Sequence, residues 1–286
     1  MRWLFIIGAA VLSLALGGCS IARLGYNNAP GLVYYWLDSY FDFDSTQTLA
    51  LRDKLQALQD WHRKEELPQI ADLLKNLQPS ATQNVTPEQV CRLYGFVLER
   101  AQAPLNYLAP AIANLAVTLS QAQITHIQSE FDKRNQQWRD EWLDVKPAKR
   151  LERRRTQIKE QAEMFYGPLN ATQTALITSL LEAAGYDPQR QYGEMLRRQQ
   201  DSIAVLSQIR SSNMAGPQAT TEIRNLLARS FASPNPDYRQ YAEQARQLGC
   251  AAAAQIHNSA SAGQREKMLK NLVAYEADAR ALMAVK

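Results

Sequence analysis

The sequence is poor in residues that carry covalent or metal chemistry. It has three histidines and three cysteines in 286 residues. None of His62, His126 and His257 has another His, Cys or acidic residue at metal-ligand spacing together with a second partner, so no metal site is expected. There is no Gly-rich phosphate loop, no Gly-x-Ser-x-Gly elbow and no Cys-His motif. No residue can therefore be nominated as catalytic, no cofactor is expected, and the chain reads as a non-enzyme. No stretch alternates Val, Ile or Thr with polar residues for long, which excludes a sheet. After residue 18 no apolar run approaches the length of a membrane span. The charge is nearly balanced, 32 Lys+Arg against 28 Asp+Glu for a net +4. That is too small to argue for nucleic acid.

What is present starts at the amino terminus. Met1-Arg2 precedes the apolar run Trp3 to Ala15, and Leu16-Gly17-Gly18-Cys19 follows. A basic start, a short hydrophobic segment and small residues before a cysteine resemble a bacterial lipoprotein signal with a lipobox. The resemblance implies that residues 1–18 are a signal peptide and that the Cys19 thiol receives a diacylglyceryl group. Cleavage then falls before Cys19, and the new amino terminus is acylated. Two or more chains hold a protein on a bilayer where one does not. Ser20, where an Asp would favour the inner membrane, points by the same resemblance to the periplasmic face of the outer membrane. The organisation is then signal 1–18, a lipidated Cys19 with a tether over 19–31, and one periplasmic domain over 32–286.

The domain reads as helix after helix. Residues 34–43 hold six aromatics, which suit either a helix at the lipid headgroups or a core helix. The absence of a basic residue favours the core. Helices are expected from Asp44 to Glu66 and from Pro68 to near Pro79. The next covers 87–118, with a break or kink near Pro104 and Pro110. Others follow over 121–144, from Pro147 to near Gly167, and at about 171–184, 188–213, 217–231, 237–257 and 262–284. The fold class is all-α, a multi-helix bundle or irregular helical array behind a lipidated terminus.

One pattern recurs. Asp44, Thr86, Ser120, Asn170 and Ser261 are each followed three residues later by Gln. In such a capping box the cap oxygen accepts the third residue's N–H and the Gln reaches back to the cap's own N–H. The five read as ordinary caps or as a repeated hairpin unit, although the gaps are irregular for a solenoid.

Three groups could act beyond the caps. Cys91 and Cys250 form a disulfide in an oxidising periplasm or are two separate buried thiols. A bond would be worth on the order of 4 to 5 kcal/mol in the chain-entropy model. Lys149, Arg150, Arg153 and Arg154 cluster on one side of a helix. They suit lipid headgroups, lipopolysaccharide phosphates or an acidic partner, or else form a solvated face. His62 is a general base or one of a charge-paired surface set with Glu66.

The lipobox, Trp36-Leu37-Asp38-Ser39-Tyr40, Trp61 to Pro68, and His257-Asn258-Ser259 with Gln264-Arg265 are similar to an uncharacterised family of proteobacterial lipoproteins, a domain of unknown function. That resemblance implies an all-helical envelope lipoprotein and supplies no activity. Leu119-Ser120-x-x-Gln123 and Leu169-Asn170-x-x-Gln173 resemble the Leu-Thr-x-x-Gln motif of Spy-like periplasmic chaperones, with Ser or Asn in place of Thr. The expected role is non-enzymatic binding of an envelope protein or polymer from the membrane anchor. The alternatives are a Spy-like holdase, which needs a concave, partly apolar, basic cradle, and, further off, a cell-wall hydrolase.

Overall fold

The computed structural model describes residues 18–284. The expected signal through residue 17 and the side chain of Cys19, the expected lipidation site, lie outside them. The helices are α1 (Gly18–Asn27), α2 (Ala29–Phe41), α3 (Ser45–Trp61), α4 (Leu67–Ala81), α5 (Pro87–Thr118), α6 (Gln121–Trp138), α7 (Pro147–Tyr166), α8 (Ala171–Ala183), α9 (Pro188–Ser211), α10 (Gly216–Phe231), α11 (Pro236–Asn258) and α12 (Ala262–Met283). No strand occurs among the described residues, so the all-α expectation holds. A π turn over His62–Glu66 joins α3 to α4 without a break, and another over Arg139–Leu143 lengthens α6.

All five capping boxes form. Four of them do more than cap, because they meet in pairs. Gln123 Nε2 donates to Gln47 Oε1 at 2.7 Å, and Gln47 Nε2 donates back to Gln123 Oε1 at 3.3 Å. Each oxygen also accepts its own cap N–H, from Asp44 at 3.1 Å and Ser120 at 2.8 Å. Each nitrogen also donates to the carbonyl two residues before the other cap, Thr118 at 3.1 Å and Asp42 at 2.9 Å. Both amides are thereby saturated, two donors and two acceptor positions each.

The same figure recurs between Gln173 and Gln264, with reciprocal bonds of 2.8 and 3.0 Å. The cap N–H groups of Asn170 and Ser261 donate at 3.0 and 2.9 Å. The carbonyls of Ser259 and Pro168 accept at 3.1 and 2.9 Å. Thr86 caps an exposed turn with Gln89.

These two clasps mark the two ends of the molecule, and the limbs run alternately between them. The α3–α4 limb leaves the first clasp and covers about 55 Å at 1.5 Å per residue. It arrives at the 83–85 turn, where His257 Nε2 meets the Gln83 carbonyl at 2.8 Å and Asn258 bonds Val85 N and O at 2.9 and 3.0 Å. That turn adjoins the second clasp. Helix α5 returns, α6 and α7 go up, α8 and α9 come down, α10 and α11 go up, and α12 comes down along α4.

The main core lies toward the first clasp. Ala109, Ala113 and Ala116 of α5 admit Ile124 and Ile127 of α6, Ile209 of α9 and Ile223 of α10. Each such isoleucine contributes about 1.5–3 kcal/mol by burial. A smaller cluster joins Leu67 and Ala71 to Ala279 and Leu282.

A buried ionic lock ties α9 to α10 and to the loop that follows it. Glu194 accepts from Arg197 Nη2 at 2.8 Å, Arg198 Nε at 3.0 Å and Ser233 Oγ at 2.8 Å. Arg197 also donates to the Arg229 carbonyl at 2.9 Å, and Arg229 grips Asp201 with two 2.9 Å bonds. Burial pushes the Glu194 carboxyl up, but Arg197, Ser233 and Arg198 outweigh it and hold it below its ordinary value. The Arg229 hydrogen bonds lower Asp201.

Several expectations are corrected. Residues 19–31 do not form an extended tether: α1 and the start of α2 are helical, and α1 is docked. Arg23 pairs with buried Asp278 at 2.6 Å, Tyr26 Oη meets His62 Nδ1 at 2.9 Å, and the Tyr26 carbonyl accepts from Gln59 at 2.5 Å. Helix α4 ends at Ala81, near Pro79 as expected, but neither Pro104 nor Pro110 breaks α5, whose alanine stripe is fixed by packing. The aromatic segment is only half a core helix. Tyr34 is buried, whereas Tyr35 and Trp36 are exposed.

The fold makes two predictions. Gln123→Ala leaves buried carbonyl and amide groups unpaired and should cost about 1–3 kcal/mol in denaturant unfolding. Gln89→Ala should cost about 1 kcal/mol or less. Gln47→Ala combined with Gln123→Ala should fall short of additivity, and strict additivity would show the clasp is not a unit. The second concerns acid. A carboxylate held below its ordinary value stabilises the fold above about pH 4.5, and this is lost as pH falls through the folded value. Glu194→Gln should cost about 3 kcal/mol at pH 7, and its deficit against the parent should shrink below pH 4. A deficit independent of pH would contradict the ionic reading.

Candidate functional site

The alanine run at the end of α11, Cys250-Ala251-Ala252-Ala253-Ala254, presents small side chains toward α7 and α8. Helix α7 has no buried residue along its length. Small residues on one wall and a helix that does not sink into the core on the other leave an open cleft of about 900 Å³. Buried Ile177 and Leu181 of α8 line it, as do Trp138, Trp142 and Tyr186 at one end and Phe165 and Tyr166 at the other. The lining is mainly apolar. Gln157, Gln161, Gln191 and Gln255 add amides that both donate and accept. Phe165 and Leu248 keep substantial exposure there.

Helix α7 is held chiefly at its two ends. At its start, Arg150 donates to the Trp142 carbonyl at 2.6 Å and Arg153 donates to the Glu141 carbonyl. Cations at a helix carboxyl end complement its dipole and its unpaired carbonyls. Arg153 also lies 5.5 Å from the Trp142 ring centroid, and Arg154 lies 4.2 Å over Tyr186. Burial lowers the Arg154 guanidinium from its ordinary value. Of the two readings left open for the basic cluster, an anion-binding patch or a solvated face, neither describes its arginines fully, because they make local contacts. Three of its four members face carbonyls and rings, and only Lys149 is exposed. At the other end Asn271 holds the Met164 and Phe165 carbonyls at 3.1 and 3.0 Å.

Two of the three histidines, His62 and His257, have structural partners. His62 lies in the π turn, beside Tyr26, and burial lowers its pKa. The expected i,i+4 pair with Glu66 does not form: His62 turns to Tyr26, and the Glu66 carboxylate faces Arg100 at 3.4 Å. His257 is buried between Tyr166 Oη at 2.8 Å and the Gln83 carbonyl. Burial pushes Tyr26 and Tyr166 up to about 12, so both phenols stay neutral. Among the described residues, no group of three His, Cys, Asp or Glu could hold a metal ion, and no helix is long and apolar enough to cross a membrane.

Cys91 and Cys250 are joined in a disulfide, with Cα atoms 5.4 Å apart across 159 residues of sequence. It ties the start of α5 to α11 directly beside the alanine run that walls the cleft.

A model described as "Family of unknown function (DUF6279)" matches residues 39–239. The chain belongs to this family. No curated protein and no solved structure matches it. The DUF6279 span contains Trp61 to Pro68, most of the cleft lining, the first clasp and Gln173 of the second. It leaves out His257 to Arg265, although those residues complete the second end of the fold. Sequence reading missed the cleft. The signal was the alanine run opposite a helix rich in Arg and Gln, and it becomes legible only once α7, α8 and α11 are known to be neighbours.

Reducing the Cys91–Cys250 bond, or Cys91→Ser with Cys250→Ser, should lower stability by about 2–5 kcal/mol. Thermal unfolding with and without reductant checks this, and an unchanged midpoint would show that α5 and α11 are held without the bond.

Proposed function

We propose that this DUF6279 protein is a lipid-anchored envelope protein, held through Cys19 on the periplasmic face of the outer membrane, that binds an apolar segment of another polypeptide in the α7–α8–α11 cleft. The observation that carries the reading is the composition of that cleft. Aromatic and aliphatic walls favour apolar side chains, and the four glutamine amides can pair with the N–H and C=O groups of a peptide backbone. An acyl chain would use the walls and leave the amides without partners. The cleft is open along one side, which suits a chain passing through more than a small molecule enclosed by it. The role is binding, with no residue assigned to covalent chemistry.

A holdase resembling the Spy-like chaperones is the second reading. The cleft is partly apolar and carries one half-buried arginine, Arg154, which fits the cradle that such a role needs. The two readings differ in the number of partners.

The test is a photo-crosslinking residue at Phe165 in intact envelopes, with Ala252→Phe as the filled-cleft control. One discrete adduct lost in Ala252→Phe supports a dedicated partner. Many adducts, together with suppressed aggregation of a reduced client at substoichiometric dose, support the holdase. No adducts in a protein whose melting temperature is unchanged overturns both. Ala252→Phe should leave the melting temperature the same or higher, since it fills open space and displaces no core atom.

A further inference from the structure

Helix α2 turns one aromatic inward and leaves the rest uncovered. Tyr34 is buried, with its hydroxyl 3.1 Å from Thr48 Oγ1. On the opposite side Leu32, Tyr35 and Trp36 remain 61%, 65% and 57% exposed, and Val33 joins them. At about 100° per residue these four cover an arc of about 160°. Single exposed apolar residues are ordinary, but a continuous face is not. Leu24 on α1 is as exposed as Tyr35.

The face has the composition of a membrane–water interface. Trp and Tyr accompany Leu and Val, the mixture favoured at headgroup depth. The one acid of α2, Asp38, lies off this face and accepts the Phe43 N–H at 3.0 Å, so it is engaged within the turn. Exposed Arg52 of α3 lies 3.9 Å from the Tyr34 ring centroid and 5.6 Å from that of Tyr35. It sets a cation at the edge of the face, where it can meet a lipid phosphate. The absence of basic residues from α2 itself was the argument against a headgroup position, and Arg52 supplies from the next helix what α2 lacks. Chain continuity points the same way. Cys19 is the second residue of α1, the apolar run Trp3 to Ala15 lies just upstream of it, and α2 follows α1 after a single residue.

We propose that the outer face of α1 and α2 lies in the headgroup layer of the bilayer to which Cys19 anchors the chain. The inference rests on the lipidation reading for its orientation. Since α2 and α3 form an antiparallel hairpin, seating α2 on the bilayer lays the long limbs roughly parallel to the membrane. The protein then rests on the surface at two places, the lipid and the α2 face, and does not swing on a tether.

The test couples the unlipidated mature chain, with Cys91–Cys250 oxidised, through Cys19 to a maleimide lipid. The vesicles are phosphatidylethanolamine and phosphatidylglycerol. This holds the protein at the surface whether or not cells lipidate Cys19. Four tryptophans lie after residue 18. Lipids brominated near the headgroup should quench part of the emission, and Trp36→Phe should abolish that quenching. Leu32→Ser with Tyr35→Ser should reduce it at least twofold with an unchanged helical circular dichroism spectrum. Absence of quenching in the parent, or quenching undiminished by Trp36→Phe, overturns the proposal. A concentration-dependent dimer of the uncoupled chain that Trp36→Phe dissociates would assign the face to a second copy and also overturn it. The mass of the Cys19 peptide from cell envelopes reports lipidation separately, so failure of the anchor and failure of the docking face are distinguishable.

Discussion

The paired glutamines are the constraint on which the rest of this fold depends. A helix begins with four unpaired N–H groups, and a capping box answers two of them locally. Here the Gln side chain that closes the box also bonds the Gln of a second box and the chain entering that second helix. One amide thus serves its own helix start, a partner helix start and a loop carbonyl. Gln47, Gln123 and Gln173 are almost fully buried, so leaving any of these bonds unmade carries the full cost of a desolvated polar group. Two clasps of the same design fix where four helices begin and which of them are neighbours. Helix lengths then determine how far the limbs reach.

Packing between the clasps is uneven, and that unevenness produces the open side of the molecule. Near the first clasp, alanines of α5 face isoleucines of α6, α9 and α10, and small-against-large packing closes the space. Toward the second clasp the alanines of α11 face no comparable set, because α7 contributes Arg, Lys, Gln and Glu at most positions. The disulfide, the Asn271 bonds and the arginines on the Glu141 and Trp142 carbonyls hold the frame around the gap, so the cleft stays open without the walls collapsing. A region with few buried apolar contacts and polar ties at its ends belongs to the low-stability part of a fold, where binding surfaces are commonly found.

Much of this was legible in the chain. Cap residues at 44, 86, 120, 170 and 261 located five helix starts to the residue, since a cap is a local chemical requirement. The pairing of the caps was not legible, because Asp44 with Ser120, and Asn170 with Ser261, meet only through the path of the intervening limbs. The prolines of α5 misled for the opposite reason: a local penalty was outweighed by tertiary packing. The run from Lys146 to Arg155 was read as a surface because sequence shows charge but not the helix ends that charge can satisfy. His62 and Glu66 were paired by helical spacing, but tertiary partners, Tyr26 and Arg100, take them instead.

The segment from Tyr34 to Phe43 shows where composition alone fails to decide. Six aromatics in ten positions are too many for a single buried stripe, and a helix distributes them around its axis whether or not the core has room. The protein buries Tyr34, packs Phe41 against Phe43 at 5.2 Å and rests Tyr40 on Phe131 at 5.9 Å. Those contacts occupy the inner side. Among the described residues α2 packs chiefly against α3, α6 and α1, and its other side stays exposed. Core helix and interfacial helix were therefore never exclusive readings of the segment. Its inner face joins the fold to α3, and its outer face is the part of the molecule best suited by chemistry to the membrane that Cys19 would supply.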